Sequence, residues 1–150
     1  MRKPFLSLIL SAALVVPVTA VLAHEPGTYE SPIVEQRVKR FKQSGADIQA
    51  IFKKHMGAGN FTAIEKAAWM MAAWGEEMPD AFPADSNSVG ADPAIWENFS
   101  DFESKADAFA KAATELKAAA ASGNAGAVKK AAQAVGGTCK SCHQSYRIKH

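Results

Sequence analysis

Four separate stretches of this 150-residue chain place apolar residues alternately three and four positions apart, and no stretch alternates with period two. The first runs Val34, Val38, Phe41, Gly45, Ile48, Phe52, and the second Phe61, Ile64, Ala68, Met71, Gly75, Met78. The third is Ile95, Phe99, Phe102, Ala106, Phe109, Ala113, Leu116, Ala120, and the last Val128, Ala132, Val135, Cys139, Cys142, Tyr146. Such spacing keeps one stripe of a helix turned toward its neighbours, so the chain reads as all-α. Ser31-Pro32 and Asp92-Pro93 each set a capping oxygen before a proline suited to a first helical turn. Thr62 with Glu65 has capping-box spacing, with Asn60 as the alternative cap. Gly57, Gly59 and Gly123-Asn124 supply stops, while Pro79, Pro83, Gly90 and Pro93 mark a loop. Four helices with mostly short connections predict an antiparallel four-helix bundle.

The first 23 residues are excluded from that fold. Met1-Arg2-Lys3 precedes an apolar run from Phe5 to Val16, then small residues to Ala23, which is the pattern of a secretory signal. The run would span only about 18 Å as helix, against a hydrocarbon core of ~30 Å. Cleavage after Ala23 would leave His24 as the amino terminus and residues 24–150 as a single exported, periplasmic domain. The whole chain has 17 Lys and Arg against 15 Asp and Glu. Two of the basic residues lie in the signal and none of the acids does, so the remaining domain is neutral. A neutral domain lacks the basic stripe that releases counterions from a phosphate backbone, and nucleic acid is excluded as a partner.

Both cysteines fall in Cys139-Lys140-Ser141-Cys142-His143. Two thiols three positions apart share one face of a helix, and an imidazole follows at once. This is the attachment signature of haem c: each thiol adds to a haem vinyl group and His143 binds the iron. A thiol oxidoreductase would want the pair after a strand, and a zinc site would want further ligands, whereas His24, His55 and His150 sit at ends. Gly136-Gly137 just before the motif suits either a macrocycle lying against the backbone or a local break in the helix. After Glu115 the chain carries six positive residues and no acid. That charge complements a helix dipole and could also guide an acidic redox partner.

With these residues in view, the sequence resembles the cytochrome c-prime family of periplasmic four-helix-bundle haem proteins and its low-spin relatives of the c-556 type. The resemblance rests on the late motif with Arg147 four residues after His143, on Gln36-Arg37, on Phe82-Pro83-Ala84-Asp85-Ser86, and on Pro93-Ala94-Ile95-Trp96. It implies one covalent haem c beside the C-terminal helix. It also implies that Arg37 contacts a haem propionate and that Phe41 faces the open side of the iron. Ser86 and Asn87 align with positions that approach the haem, while Val38 stands where the family often has Gln. A homodimer through the first two helices is implied as well, and Trp69, Met70, Met71 and Trp74 offer bulk for it.

The sixth coordination position separates the functions that remain. The low-spin relatives draw a methionine from the first helix, and this chain has none there before Met56. Met70, Met71 and Met78 read as core fillers, and His55 as a helix-end residue. The expectation is five-coordinate, high-spin iron under an apolar pocket without a hydrogen-bond donor, able to admit diatomic gases such as nitric oxide. The alternative is a six-coordinate electron carrier. A peroxidase is disfavoured, because no acid–base group stands near Phe41.

Overall fold

A computed structural model describes residues 31–148; the predicted export signal, His24 and His150 lie outside the described residues. Helix α1 spans Pro32–Ala50 and continues into a π-helical turn, Ile51–His55. Helix α2 spans Phe61–Glu77, α3 is a single turn at Ala94–Glu97, α4 spans Phe99–Ala121 and α5 spans Ala125–Tyr146. The four long helices form an antiparallel bundle, and among the described residues there is no strand, only an isolated bridge between Ala91 and Arg147.

The helix starts follow from short polar side chains. Ser31 Oγ accepts from the Val34 N–H, Asn60 Oδ1 from Ala63 at 3.1 Å, and Asn124 Oδ1 from Ala127 at 2.9 Å. Asn60, not Thr62, is thus the cap of α2. Asp92 Oδ1 accepts from the Ala94 N–H at 3.0 Å and starts α3. Gly123 takes a φ of +68° between α4 and α5, a conformation that a side chain would strain.

Three expectations change. The third predicted helix is two, because Asn98 (φ −126°, ψ 50°) breaks it between α3 and α4. Trp96 Nε1 donates to the Phe82 and Pro83 carbonyls and ties the short turn to the preceding loop. The buried face of α1 is rotated from the apolar stripe: Arg37 and Ile51 are buried where Val38 and Phe52 were expected, and Phe52 is exposed. The π-helical turn shifts the phase only from Ile51 on, whereas Arg37 turns inward to acceptors at Ala81 and Ser86. Finally, α5 runs unbroken through Gly136-Gly137, so the helix-break reading fails. A Cβ at either glycine would meet nothing within 4 Å.

The core lies where α4 packs against α2 on one side and α5 on the other, the two most extensive helix contacts in the fold. A Cβ on Gly75 would sit 2.7 Å from Ala110 Cβ and 2.8 Å from its Cα and N, so α2 and α4 approach backbone to backbone. Gly75→Ala should push these helices apart. A loss of about 1–3 kcal/mol, typical of overpacking, is expected in urea unfolding, despite the better helix propensity of alanine. An unchanged midpoint would mean that the close approach is not tight.

The loop between α2 and α3 is fastened to the end of α5. Asp92 N donates to the Tyr146 carbonyl at 3.1 Å and Ile148 N to the Gly90 carbonyl at 3.3 Å. Tyr146 Oη donates to Asp101 Oδ2 at 2.6 Å, and that hydrogen bond, more than burial, pushes the phenol up to about 12. No described helix is long and apolar enough to cross a membrane.

Candidate haem site

Helix α1 touches α2 far less than α2 touches α4, and the space it leaves toward α5 is a pocket. Four helices line this cavity of about 140 Å³: Phe41, Ser44, Gly45 and Ile48 from α1, Trp74 from α2, Lys105 and Phe109 from α4, and Thr138, Cys139, Cys142 and His143 from α5, with Met78 just past α2. Its wall is almost wholly apolar. Helical spacing puts both cysteines on the inward stripe of α5, and each is half-buried. His143 stands at the rim, and its ring centroid lies 6.5 Å from that of Phe41 across the pocket. The Phe41 ring also meets Trp74 edge-on at 5.2 Å and Phe82 at 6.2 Å.

The electrostatics fit covalent haem better than thiol redox chemistry or zinc. Burial raises the Cys139 thiol, with nearby hydrogen bonds opposing it. Burial also pushes Cys142 up to about 11, against the pull of Lys105. Redox pairs work through low-pKa thiolates, and here both thiols stay protonated. Among the described residues no third His, Cys, Asp or Glu completes a metal cluster with them. The sheltered part of its ring, and then Arg147, hold His143 below the usual imidazole range. The neutral imidazole this favours at neutral pH is the form that offers a lone pair to iron.

One residue of the wall carries a buried polar atom without a partner: Trp74, at Nε1. Buried indole N–H groups normally find an acceptor, so a group that brings one into the pocket fits the site. Trp74 is a site residue that the sequence reading assigned to a surface. It lies three residues after Met71 and four before Met78, so the same helical spacing could have placed it inward.

The other expected site residues divide. Arg37 is only 2% exposed and does not line the pocket. Its Nη1 donates to Ala81 O at 3.1 Å and Ser86 Oγ at 2.8 Å; its Nη2 donates to Ser86 O and, at 3.1 Å, to Ser88 Oγ. The guanidinium also lies 4.2 Å from the Phe82 ring centroid. Arg37 and Ser86 are therefore brought together, but as a joint between α1 and the loop. A propionate would have to share the guanidinium with these four acceptors. Asn87 is exposed and lines no part of the pocket. Arg147 lies past the end of α5, exposed and bridged to Ala91. Of the bulk expected on α2 as a dimer face, Met71 and Trp74 are buried, Met70 is half-buried, and Trp69 alone is exposed, at 57%. The buried pair turns inward because α2 sits against both α4 and the pocket.

The model of the family described as Cytochrome C' matches residues 32–147. A cytochrome c-556 of Agrobacterium tumefaciens (strain II Chrys) is 36% identical over 119 residues, covering 77% of this chain and 97% of its own. The crystal structure of cytochrome c' from Thermochromatium tepidum superposes with a TM-score of 0.72 at 30% identity, covering 78% of this chain and 95% of the other. A second cytochrome c', described by a ligand-controlled dimer dissociation, has a TM-score of 0.70 at 32% identity with the same coverage.

Proposed function

This chain belongs to the cytochrome c' family and its cofactor is haem c; from that premise we propose that it is a periplasmic, non-enzymatic haem protein that binds small diatomic gases and passes single electrons. The observation that carries the reading is the pocket itself, which gathers Cys139, Cys142 and His143 on one wall and Phe41 and Trp74 on others. When bound, haem supplies an iron coordination position and a one-electron couple. Cys139 and Cys142 would hold it by thioethers, and His143 would supply a nitrogen ligand to its iron. Phe41 faces His143 across the pocket with a ring that would neither ligate iron nor exchange protons, which favours five-coordinate iron and leaves peroxide chemistry without an acid–base group. Residues 1–23 act as the cleaved signal that delivers residues 24–150 to the periplasm.

The c-556 relative favours a second reading, a six-coordinate electron carrier. Met78 is the one methionine that lines the pocket and would be its ligand.

The protein purified from a periplasm that matures c-type cytochromes should be one haem heavier than the chain beginning at His24. The haem should stay with the protein in acid–acetone, and Cys139→Ser or Cys142→Ser should sharply lower the haem-loaded yield. Haem passing into the organic phase would overturn covalent attachment.

A homodimer belongs to the same proposal. Its support is exposed Trp69 on α2 and exposed Phe52 beyond α1. Sedimentation at micromolar concentration should show a dimer that weakens on Trp69→Lys; a single species of monomer mass contradicts it.

A further inference from the structure

We propose that the Trp74 indole N–H donates a hydrogen bond to an oxygen acceptor that arrives with the haem, either the outer atom of an iron-bound diatomic ligand or a propionate carboxylate. The inference rests on the haem reading above and corrects the expectation of a pocket without a donor.

Elimination singles out Trp74. The pocket wall holds four other donor side chains besides the axial imidazole and the thiols that attach the haem, counting Trp74 itself among them: Ser44, Trp74, Lys105 and Thr138. Ser44 Oγ already donates to Arg40 O at 3.1 Å, and Thr138 Oγ1 to Val135 O at 2.7 Å. Lys105 Nζ lies 3.6 Å from Asp101 Oδ2, and its side chain, 23% exposed, leaves the other ammonium N–H groups to water. Trp74 is 3% exposed, and its Nε1 is buried without any acceptor. A buried, unmade hydrogen bond is costly, and native folds rarely leave one. The Arg40 guanidinium, 5.8 Å from the Trp74 ring centroid, gives the ring a partner, but it leaves the indole N–H without an acceptor. The Trp74 ring packs edge-on against Phe41, the ring that faces His143 across the pocket.

The test uses the haem-loaded protein. Ultraviolet resonance Raman reads the hydrogen-bonding state of indole N–H groups, and the difference between wild type and Trp74→Phe isolates Trp74. A bonded signal that appears only after carbon monoxide binds the reduced protein identifies the iron-bound ligand as acceptor. A bonded signal already present without carbon monoxide identifies a propionate. In the first case the variant should also release the gas about fivefold faster, the equivalent of a ~1 kcal/mol hydrogen bond. Should the variant fail to fold, the wild-type carbon monoxide complex decides the first case by infrared: its C–O stretch shifts in heavy water when an N–H donates to it. The wild-type Raman spectrum decides the second. An unbonded Trp74 in both states overturns the proposal while leaving the haem reading intact. A purified protein without a Soret band overturns both.

Discussion

Replacing Arg37 with methionine is expected to cost the fold about 3 kcal/mol in urea unfolding, because the change strips partners from the buried Ser86 and half-buried Ala81 carbonyls, each worth roughly 1–3 kcal/mol when left unmade. The guanidinium reaches four oxygens of one loop through two nitrogens and stacks on Phe82 at the same time. Methionine can replace the stacking contact and none of the hydrogen bonds. Lysine keeps the charge but offers a point donor instead of a planar fork, so Arg37→Lys should recover only part of the loss. The loop carries Phe82, whose ring packs against Phe41, so loosening it should also disturb the pocket. A loss below about 1 kcal/mol, the range of ordinary surface changes, would show that the joint is not needed to hold the loop.

The second large effect concerns Phe41. Phe41→Ala should cost about 2 kcal/mol, less than a fully buried phenylalanine, because the ring is only half-buried. Stopped-flow binding of carbon monoxide and nitric oxide should become faster at the same time, since no ring has to swing aside. Loss of stability with unchanged gas kinetics would reduce Phe41 to a packing residue.

The bundle and the attachment motif were legible in the sequence, and the reasons are physical. Period 3.6 and short polar caps act locally, so α2, α5 and the starts at Ser31 and Asp92 could be read in order, whereas Asn60 stood only as the alternative to Thr62 and Asn124 only as part of a stop. The break at Asn98 could not. Ile95, Phe99 and Phe102 keep the helical phase across it, and the interactions at the break reach Phe82, Pro83 and Tyr146, far away in sequence. The rotation of α1 was hidden for another reason. Arg37 occupies a buried place that a hydrophobic pattern scores as surface, because its acceptors lie in a loop more than forty residues on. Trp74 was misplaced because composition alone marks a tryptophan–methionine cluster as sticky, whereas the neighbours of α2 decide which of its members turn inward.

We propose haem held by Cys139, Cys142 and His143, with Phe41 rather than a sixth protein ligand facing it. The optical spectrum of the reduced protein tests it most directly. Five-coordinate, high-spin iron predicts a broad visible envelope without resolved bands, which sharpens when carbon monoxide is added. Sharp, resolved bands in the reduced protein before any gas is added, unchanged by carbon monoxide, would mean a sixth ligand from the chain and would contradict it.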